Sequence, residues 1–278
     1  MAETWARERG VVAVSGTDAA GFLHGLVTAD IENMPPGAMA FGALLTPQGK
    51  ILFDFIIHRT EDTYLLDLPA QATEALIKRL GFYKLRSNVE IEDVSDRFAI
   101  LVDIEPDARP ADPRLKALGS RRIVGAADAT GADDTGAHDQ ARIALGIAEC
   151  WRDFASGDVF PHEANFDRLH GVNLAKGCYV GQEVVSRMHH RGPARKRFLP
   201  CRVEGDVPPV DAEVTAGDRN VGRTGTAAGG KLLALLRLDR IADAAAGKTP
   251  LRSGAARLWP QIPSWANDIS LTQKAAVQ

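Results

Sequence analysis

The chain has 278 residues, of which 45% are hydrophobic and 25% charged, values typical of a folded globular protein with more than one domain. Its formal net charge of −3 argues against a protein that is basic throughout, so we do not expect a nucleic-acid partner. The three cysteines are widely spaced, which excludes a disulfide framework and indicates a reducing compartment.

Residues 1–104 carry patterns typical of an antiparallel sheet with helices. A short buried strand is predicted at residues 10–14, and the segment that follows, from Ser15 to Val27, predicts a capped helix with an apolar stripe. Further strands are predicted at residues 39–46, 50–59, 63–68, 89–94 and 97–103, with a helix from about Ala70 to Leu80. Hairpin connections, and the lack of a G-x-G-x-x-G or Walker loop, favour an α+β domain over a doubly wound sheet.

Residues 105–140 differ in composition from both flanks. Three prolines are followed by a stretch with four aspartates and no lysine or arginine, from Ala126 to Gln140. Such a composition predicts an exposed acidic loop or insertion. The spacing of the aspartates does not match a calcium-binding loop, so we expect no metal there.

Residues 141–194 form a predicted second α+β segment, which contains the compact motif K-G-C-Y-V-G-Q-E-V-V-S-R at 176–187. The two glycines of this signature loop permit unusual backbone angles or a close approach of another group. A short helix is predicted from Gln182, so Glu183 and Arg187 would lie four residues apart on one face and could pair.

Cys178 precedes the predicted helix start by a few residues. The helix dipole and the nearby Lys176 and Arg187 would favour its thiolate form, which predicts a reactive thiol. The alternative is an inert cysteine, since most cysteines in reducing compartments are small buried hydrophobic residues.

A basic tract follows the signature loop, with no acid between Glu183 and Glu204. It consists of Arg187, His189, His190, Arg191, Arg195, Lys196, Arg197 and Arg202. This basic tract could be a solvated face, or it could be a site for an anionic ligand or partner. The adjacent histidines lack a third ligand at metal-binding spacing, so we expect no metal site.

Residues 195–265 contain short alternating segments separated by glycine, proline and aspartate, which predict a small antiparallel barrel. The last residues, 266–278, are polar and predict a loosely held tail. The N-terminus has no apolar signal core and no apolar run could cross a bilayer, so we expect a cytoplasmic protein without membrane contact.

The signature loop resembles that of the YgfZ family, relatives of the aminomethyltransferase (T-protein) of the glycine cleavage system. Four other segments resemble family segments in the same order: residues 14–30, 82–93 (F-Y-K-L-R-S-N-V-E-I-E-D), 161–167 (P-H-E-A-N-F-D) and 221–226 (V-G-R-T-G-T). The resemblance implies a T-protein-like three-part fold around a central opening that binds tetrahydrofolate. It also implies a role in maturing or maintaining iron–sulfur enzymes.

The resemblance further implies which side chains act. It implies catalytic roles for Cys178, Lys176 and Asp54. The cofactor-binding residues that we expect are Gln182, Glu183, Arg187, Asn165 and Tyr179.

Two departures from the T-protein pattern weaken the folate prediction. Phe53 stands beside Asp54 where the T-protein has two acidic residues, and Ala144 stands where it has a glutamate that holds the pterin. An alanine cannot make the two hydrogen bonds that a carboxylate offers to a pterin edge, and leaving such an edge unpaired costs about 1–3 kcal/mol.

Three functions are compatible with these features of the sequence. The first is a folate-binding accessory protein in iron–sulfur cluster assembly or repair, a monomer whose partners are assembly proteins or client enzymes. The second is a folate-dependent one-carbon transferase that uses Asp54. The third is a module that binds an acidic protein or RNA through Arg195, Lys196 and Arg197. Since a cluster usually needs four protein ligands, three dispersed cysteines argue against one held within a single chain and leave open one shared between chains.

Overall fold

The computed structural model describes residues 3–105, 108–130, 135–192, 194–266 and 269. In chain order the strands are β1 (Thr4–Trp5), β2 (Arg9–Ser15), β3 (Met39–Leu45), β4 (Ile51–Arg59), β5 (Thr63–Pro69), β6 (Glu90–Asp93), β7 (Phe98–Asp103), β8 (Ser120–Gly125), β9 (Lys196–Glu204), β10 (Glu213–Ala216), β11 (Arg219–Ala228), β12 (Lys231–Arg237), β13 (Leu251–Ser253) and β14 (Ala256–Pro260). The helices are α1 (Ala19–His24), α2 (Thr73–Lys84), α3 (Gly136–Ala144), α4 (Gln182–His190) and α5 (Leu238–Ala246).

The strands form three β-units within the described residues. A five-stranded antiparallel sheet has the order β3-β4-β5-β2-β6, and a three-stranded sheet has the order β1-β7-β8. The closed barrel has the order β10-β11-β12-β9-β14-β13, with every neighbouring pair antiparallel. The predicted α+β fold with antiparallel sheets and a C-terminal barrel is confirmed.

Strand β4 lies between two hydrophobic cores, which explains its nearly continuous apolar sequence. Phe53 and Phe55 pack into the core that contains α1 and α2, whereas Ile56 packs into the core shared with the second half of the chain. Because side chains alternate between the two faces of a strand, Asp54 faces the second core. The fold therefore buries this carboxylate between two halves of the chain.

The described part of residues 105–140 differs from the predicted exposed acidic loop. It contains strand β8, which pairs along its length with β7, and the first residues of α3. The sequence conceals this strand because its Arg121 is charged, yet the side chain is buried and paired with Asp67. Asp133 and Asp134 of the predicted loop lie outside the described residues.

The run from residue 142 to 154, whose apolar spacing favours a helix, is helical only at its start, since α3 ends at Ala144. Gly146 follows with φ +72°, and the amides of Gly146 and Ile147 bond back to Ile143 and Arg142. This left-handed glycine closes the helix, and the chain from Ile147 to Phe154 continues as an irregular segment.

The barrel confirms the alternating pattern of the C-terminal segments, and its interior is filled by apolar side chains together with Ile241 and Ala244 of α5. In the part of the chain that the structure describes, no helix has the length and apolar character needed to span a bilayer. Of the predicted tail at residues 266–278, only 266 and 269 lie among the described residues.

Candidate functional site around the signature loop

Cys178 is exposed, whereas Cys150 and Cys201 are buried. The loop that carries it packs against the turn between β3 and β4. Gly181 has φ +83°, and a Cβ there would lie 2.6 Å from the carbonyl oxygen of Thr46, so this position requires glycine. The loop is thus fixed at the residue before α4 while the thiol stays accessible.

Lys176 does not act as the sequence predicts. Its ammonium donates hydrogen bonds of 2.7 Å to the carbonyl oxygens of His24, Val27 and Ala29, and the residue is buried. Burial lowers the pKa of Lys176 to about 8. Because these three bonds use all three ammonium hydrogens, the side chain anchors the loop to the segment after α1 and is not directed at the thiol.

Two predicted cofactor-binding residues, Tyr179 and Asn165, are buried. The Tyr179 ring packs in the second core, and burial raises the pKa of its hydroxyl to about 12. Asn165 is buried with φ +65°; its amide donates to the carbonyl oxygens of Gly146 and Phe198, and its oxygen accepts from Arg197. Both ends of the Asn165 amide are thus paired within the protein, whereas the buried Tyr179 hydroxyl has no hydrogen-bond partner among the described residues. The local sequence gives no sign of either burial.

The remaining residues of the signature lie on α4. The predicted pair between Glu183 and Arg187 is confirmed, with 84% of the glutamate side chain and 51% of the arginine side chain exposed. Gln182 begins the helix and is half-buried. The guanidinium of Arg187 therefore already has a partner on its own helix.

His24 is a residue of this site that the sequence did not reveal. A Cβ on Gly177 would lie 3.5 Å from its Nε2, so the imidazole lies beside the residue preceding Cys178. Its Nδ1 accepts a hydrogen bond of 3.4 Å from the amide of Glu32. A lone histidine within the apolar stripe of α1 gives no sequence signal for such a position.

Asp54 lies away from solvent, 5% exposed, and its Oδ1 accepts a hydrogen bond of 2.9 Å from the amide of Cys150. Burial, together with the charge of Glu149, raises the pKa of Asp54 to about 7. The neighbouring Phe53 stacks on Trp151 with ring centroids 5.8 Å apart. Both side chains that follow the glycine turn are therefore engaged inside the protein.

The residues around Asp54 do not fit a pterin ring held as in the T-protein. Ala144 has no polar side-chain atom, Phe53 is stacked, and the carboxylate of Asp54 is bonded to backbone. The expected catalytic role of Asp54 is thus not supported by its surroundings, since a general base must reach the proton that it abstracts.

Paired charges fill the interior near Asp54. Arg114 donates to Asp112 and Glu149, with its shortest bond, to Glu149, at 2.6 Å. Further ion pairs of the same network join Arg9 and Arg121 to Asp67, Arg142 to Asp153, and Arg152 to Asp139 and Glu149. The neighbouring arginines hold the pKa of Glu149 well below its usual range despite its burial.

The sequence resembles known proteins over most of its length. The family model described as the CAF17 C-terminal beta-barrel domain matches residues 195–268, and that of the GCVT N-terminal domain matches residues 7–111. The human iron-sulfur cluster assembly factor IBA57, mitochondrial, is 30% identical in an alignment 306 positions long that covers 94% of this chain and 84% of that protein.

A homolog of that factor from Mycosarcoma maydis is 34% identical in an alignment 233 positions long that covers 73% of this chain. This match spans only 58% of the fungal protein. A separate match with the homolog from Neurospora crassa spans 55% of that protein. The aminomethyltransferase T of the glycine cleavage system from Bartonella henselae shares the fold, with a TM-score of 0.67 and 15% identity over 94% of this chain and 85% of that one.

The relatives are named as mitochondrial proteins, which contradicts the expected cytoplasmic location. That expectation depended on the lack of an apolar signal core, a test that detects secretory signals but not the amphipathic leaders of mitochondrial proteins. The level of identity and coverage is decisive for the family: this chain belongs to the family of the iron-sulfur cluster assembly factor IBA57.

Proposed function

We propose that this chain acts in iron–sulfur cluster assembly and that Cys178 is its working group, a thiolate that binds iron. One observation carries the proposal: Cys178 is exposed on an anchored loop, whereas the other two cysteines are buried. Thiolate is the ligand that iron–sulfur clusters use, and a fixed, accessible sulfur offers it without a rearrangement of the fold.

One thiolate is not enough to hold a cluster, since clusters usually have four protein ligands. Cys150 and Cys201 are each 0% exposed, so they cannot supply ligands from this chain without unfolding their surroundings. The remaining ligands would therefore come from a second protein or a small thiol. This makes the chain a partner in a shared cluster rather than a carrier of its own.

Tetrahydrofolate binding remains a prediction of the T-protein resemblance, and the surroundings of Asp54 argue against it at the T-protein position. The one-carbon transferase is disfavoured for the same reason, because the carboxylate it would use is buried against Cys150. Calorimetric titration of the protein with tetrahydrofolate tests this. Binding that is lost in Asp54→Asn would restore the transferase hypothesis.

The thiol is tested by anaerobic reconstitution with ferrous iron and sulfide in the presence of a cluster-scaffold protein. We expect the charge-transfer absorption of a shared cluster with the wild-type chain and its loss with Cys178→Ser. Cys201→Ala is the matched control, because it removes a buried sulfur and leaves the loop intact. Cluster formation that is equal in both variants and the wild type would exclude Cys178 as a ligand.

A further inference from the structure

A cavity of about 590 Å³ lies between the C-terminal end of α4 and the start of β9. Its cationic side is lined by Arg191, Arg195 and Lys196, and its apolar side by Phe160 and Met188. An adjoining cavity of about 380 Å³ shares its His162. Cys178 lines neither cavity, so this region is separate from the thiol.

The basic tract predicted from the sequence divides into two kinds of residue here. Arg197 is buried and bonded to Asp167 at 2.8 and 2.9 Å, so its charge is already neutralised. Arg191, Arg195 and Lys196 are exposed, and within the described chain their side chains have no ion-pair or hydrogen-bond partner. Three unpaired cations therefore line the cavity, against one carboxylate, that of Glu163, whose Oε2 accepts a hydrogen bond of 3.0 Å from the amide of Phe160.

His162 supplies a second, independent feature of the cavity. It is 5% exposed, and in the described structure both of its ring nitrogens are buried without a hydrogen-bond partner. Burial lowers the pKa of His162, which favours the neutral ring, and a neutral imidazole has one donor and one acceptor nitrogen. Buried polar atoms are rarely left unpaired, and a group entering the cavity beside them would relieve that cost.

We propose that this cavity binds the phosphate group of a small phosphorylated molecule, held by Arg191, Arg195 and Lys196 and contacted by His162. A phosphate has enough oxygens to accept from several cationic donors at once, and its monoprotonated form also offers a hydroxyl to the acceptor nitrogen of His162. The rest of the ligand would lie on Phe160 and Met188. The volume is in the range of small-molecule sites.

The charges around the cavity favour a small ligand over an extended polyanion. A third cavity of about 450 Å³ continues from it past Lys196 and is lined by Asp158, Asp211 and Glu213. A nucleic acid or acidic peptide that followed this groove would meet a surface of mixed charge, because Asp158 and Asp211 are paired with Arg223 and Glu213 adds a further carboxylate. A compact phosphate ester would occupy the cationic end alone.

Calorimetric titration of the full chain with inorganic phosphate, pyrophosphate and adenosine monophosphate tests the site, with acetate as the carboxylate arm. We expect binding of the phosphates but not of acetate, and at least a tenfold loss of affinity in an Arg195→Ala, Lys196→Ala double variant. Arg202→Ala, a half-exposed arginine further along β9, is the matched control and should bind normally. Wild-type protein that binds none of the phosphates would overturn the proposal, as would equal affinities in the double variant and the control.

The role of His162 has its own test. His162→Phe fills the same space without polar atoms, so the melting temperature should be retained or rise while phosphate affinity falls. In the wild-type protein, titration with phosphate should also shift the His162 ring signals in NMR spectra. An unchanged affinity in the Phe variant, or tighter binding of a single-stranded RNA than of phosphate, would contradict the site as described. Cys178→Ser should bind phosphate normally, which separates this outcome from the cluster test.

Discussion

The signature loop and the buried charge network show two opposite uses of charged residues in one chain. In the network, Arg114 and Glu149 are almost completely buried and are paired on several sides. In the segment 176–187, Cys178 and the Glu183–Arg187 pair face solvent, and of its charged side chains that of Lys176 is buried. The carboxylate of Asp54 is thus buried next to the paired interior, whereas the thiol that we propose as the working group lies exposed on the loop.

Breaking the buried network should therefore lower the free energy of unfolding more than breaking an exposed pair. Arg114→Met removes the guanidinium that is bonded to both Asp112 and Glu149, and it leaves two buried carboxylates without their main partner. We expect a loss of about 3–5 kcal/mol in the free energy of unfolding, measured in urea. Arg97→Met breaks an exposed pair with Glu92 and should leave the free energy of unfolding nearly unchanged, because solvent screens such a pair. Similar costs for the two variants would contradict the contrast between buried and exposed charge.

The second prediction concerns the buried carboxyl of Asp54, whose folded pKa of about 7 lies above its usual value. The folded state therefore holds this proton more tightly than the unfolded state, and stability from this group is lost as pH rises from about 4 to about 7. Asp54→Asn keeps the acceptor for the Cys150 amide but carries no charge. At about 1.4 kcal/mol per pKa unit, we expect the variant to gain about 2–4 kcal/mol over the wild type at pH 8 and little at pH 4.

Urea unfolding of both proteins at pH 4, 6 and 8 measures this difference. Asp62→Asn, at an exposed position on the turn before β5, is the control and should follow the wild-type pH dependence. A difference between wild type and Asp54→Asn that is constant across pH would show that the carboxyl does not titrate differently in the folded protein.

The sequence predicts the fold better than it predicts the site. The alternating and apolar segments determine most strands and the barrel, because burial on one or both faces imposes a period that can be read directly. Strand β8 and the charge network cannot be predicted from the sequence. An arginine such as Arg121 is expected to be exposed unless its partner, here the distant Asp67, is known. Cys178 and Gly181 could be identified from the motif, whereas Tyr179 and Asn165 could not be assigned without the contacts that bury them.

The smallest of the three predicted effects tests how the exposed loop is held. Lys176→Met leaves the carbonyl oxygens of His24, Val27 and Ala29 without their donor, and we expect a loss of about 1–3 kcal/mol because water can reach part of the opened loop. The more telling readout is Cys178, whose alkylation by iodoacetamide should change in rate as the loop loses its fixed position. Lys176→Arg keeps a cationic donor and should restore part of both effects, whereas Lys78→Met, on the exposed side of α2, should change neither. If Lys176→Met leaves the alkylation rate and the unfolding free energy at their wild-type values, the buried ammonium does not position the thiol. The exposed loop would then be held by other contacts than this charge.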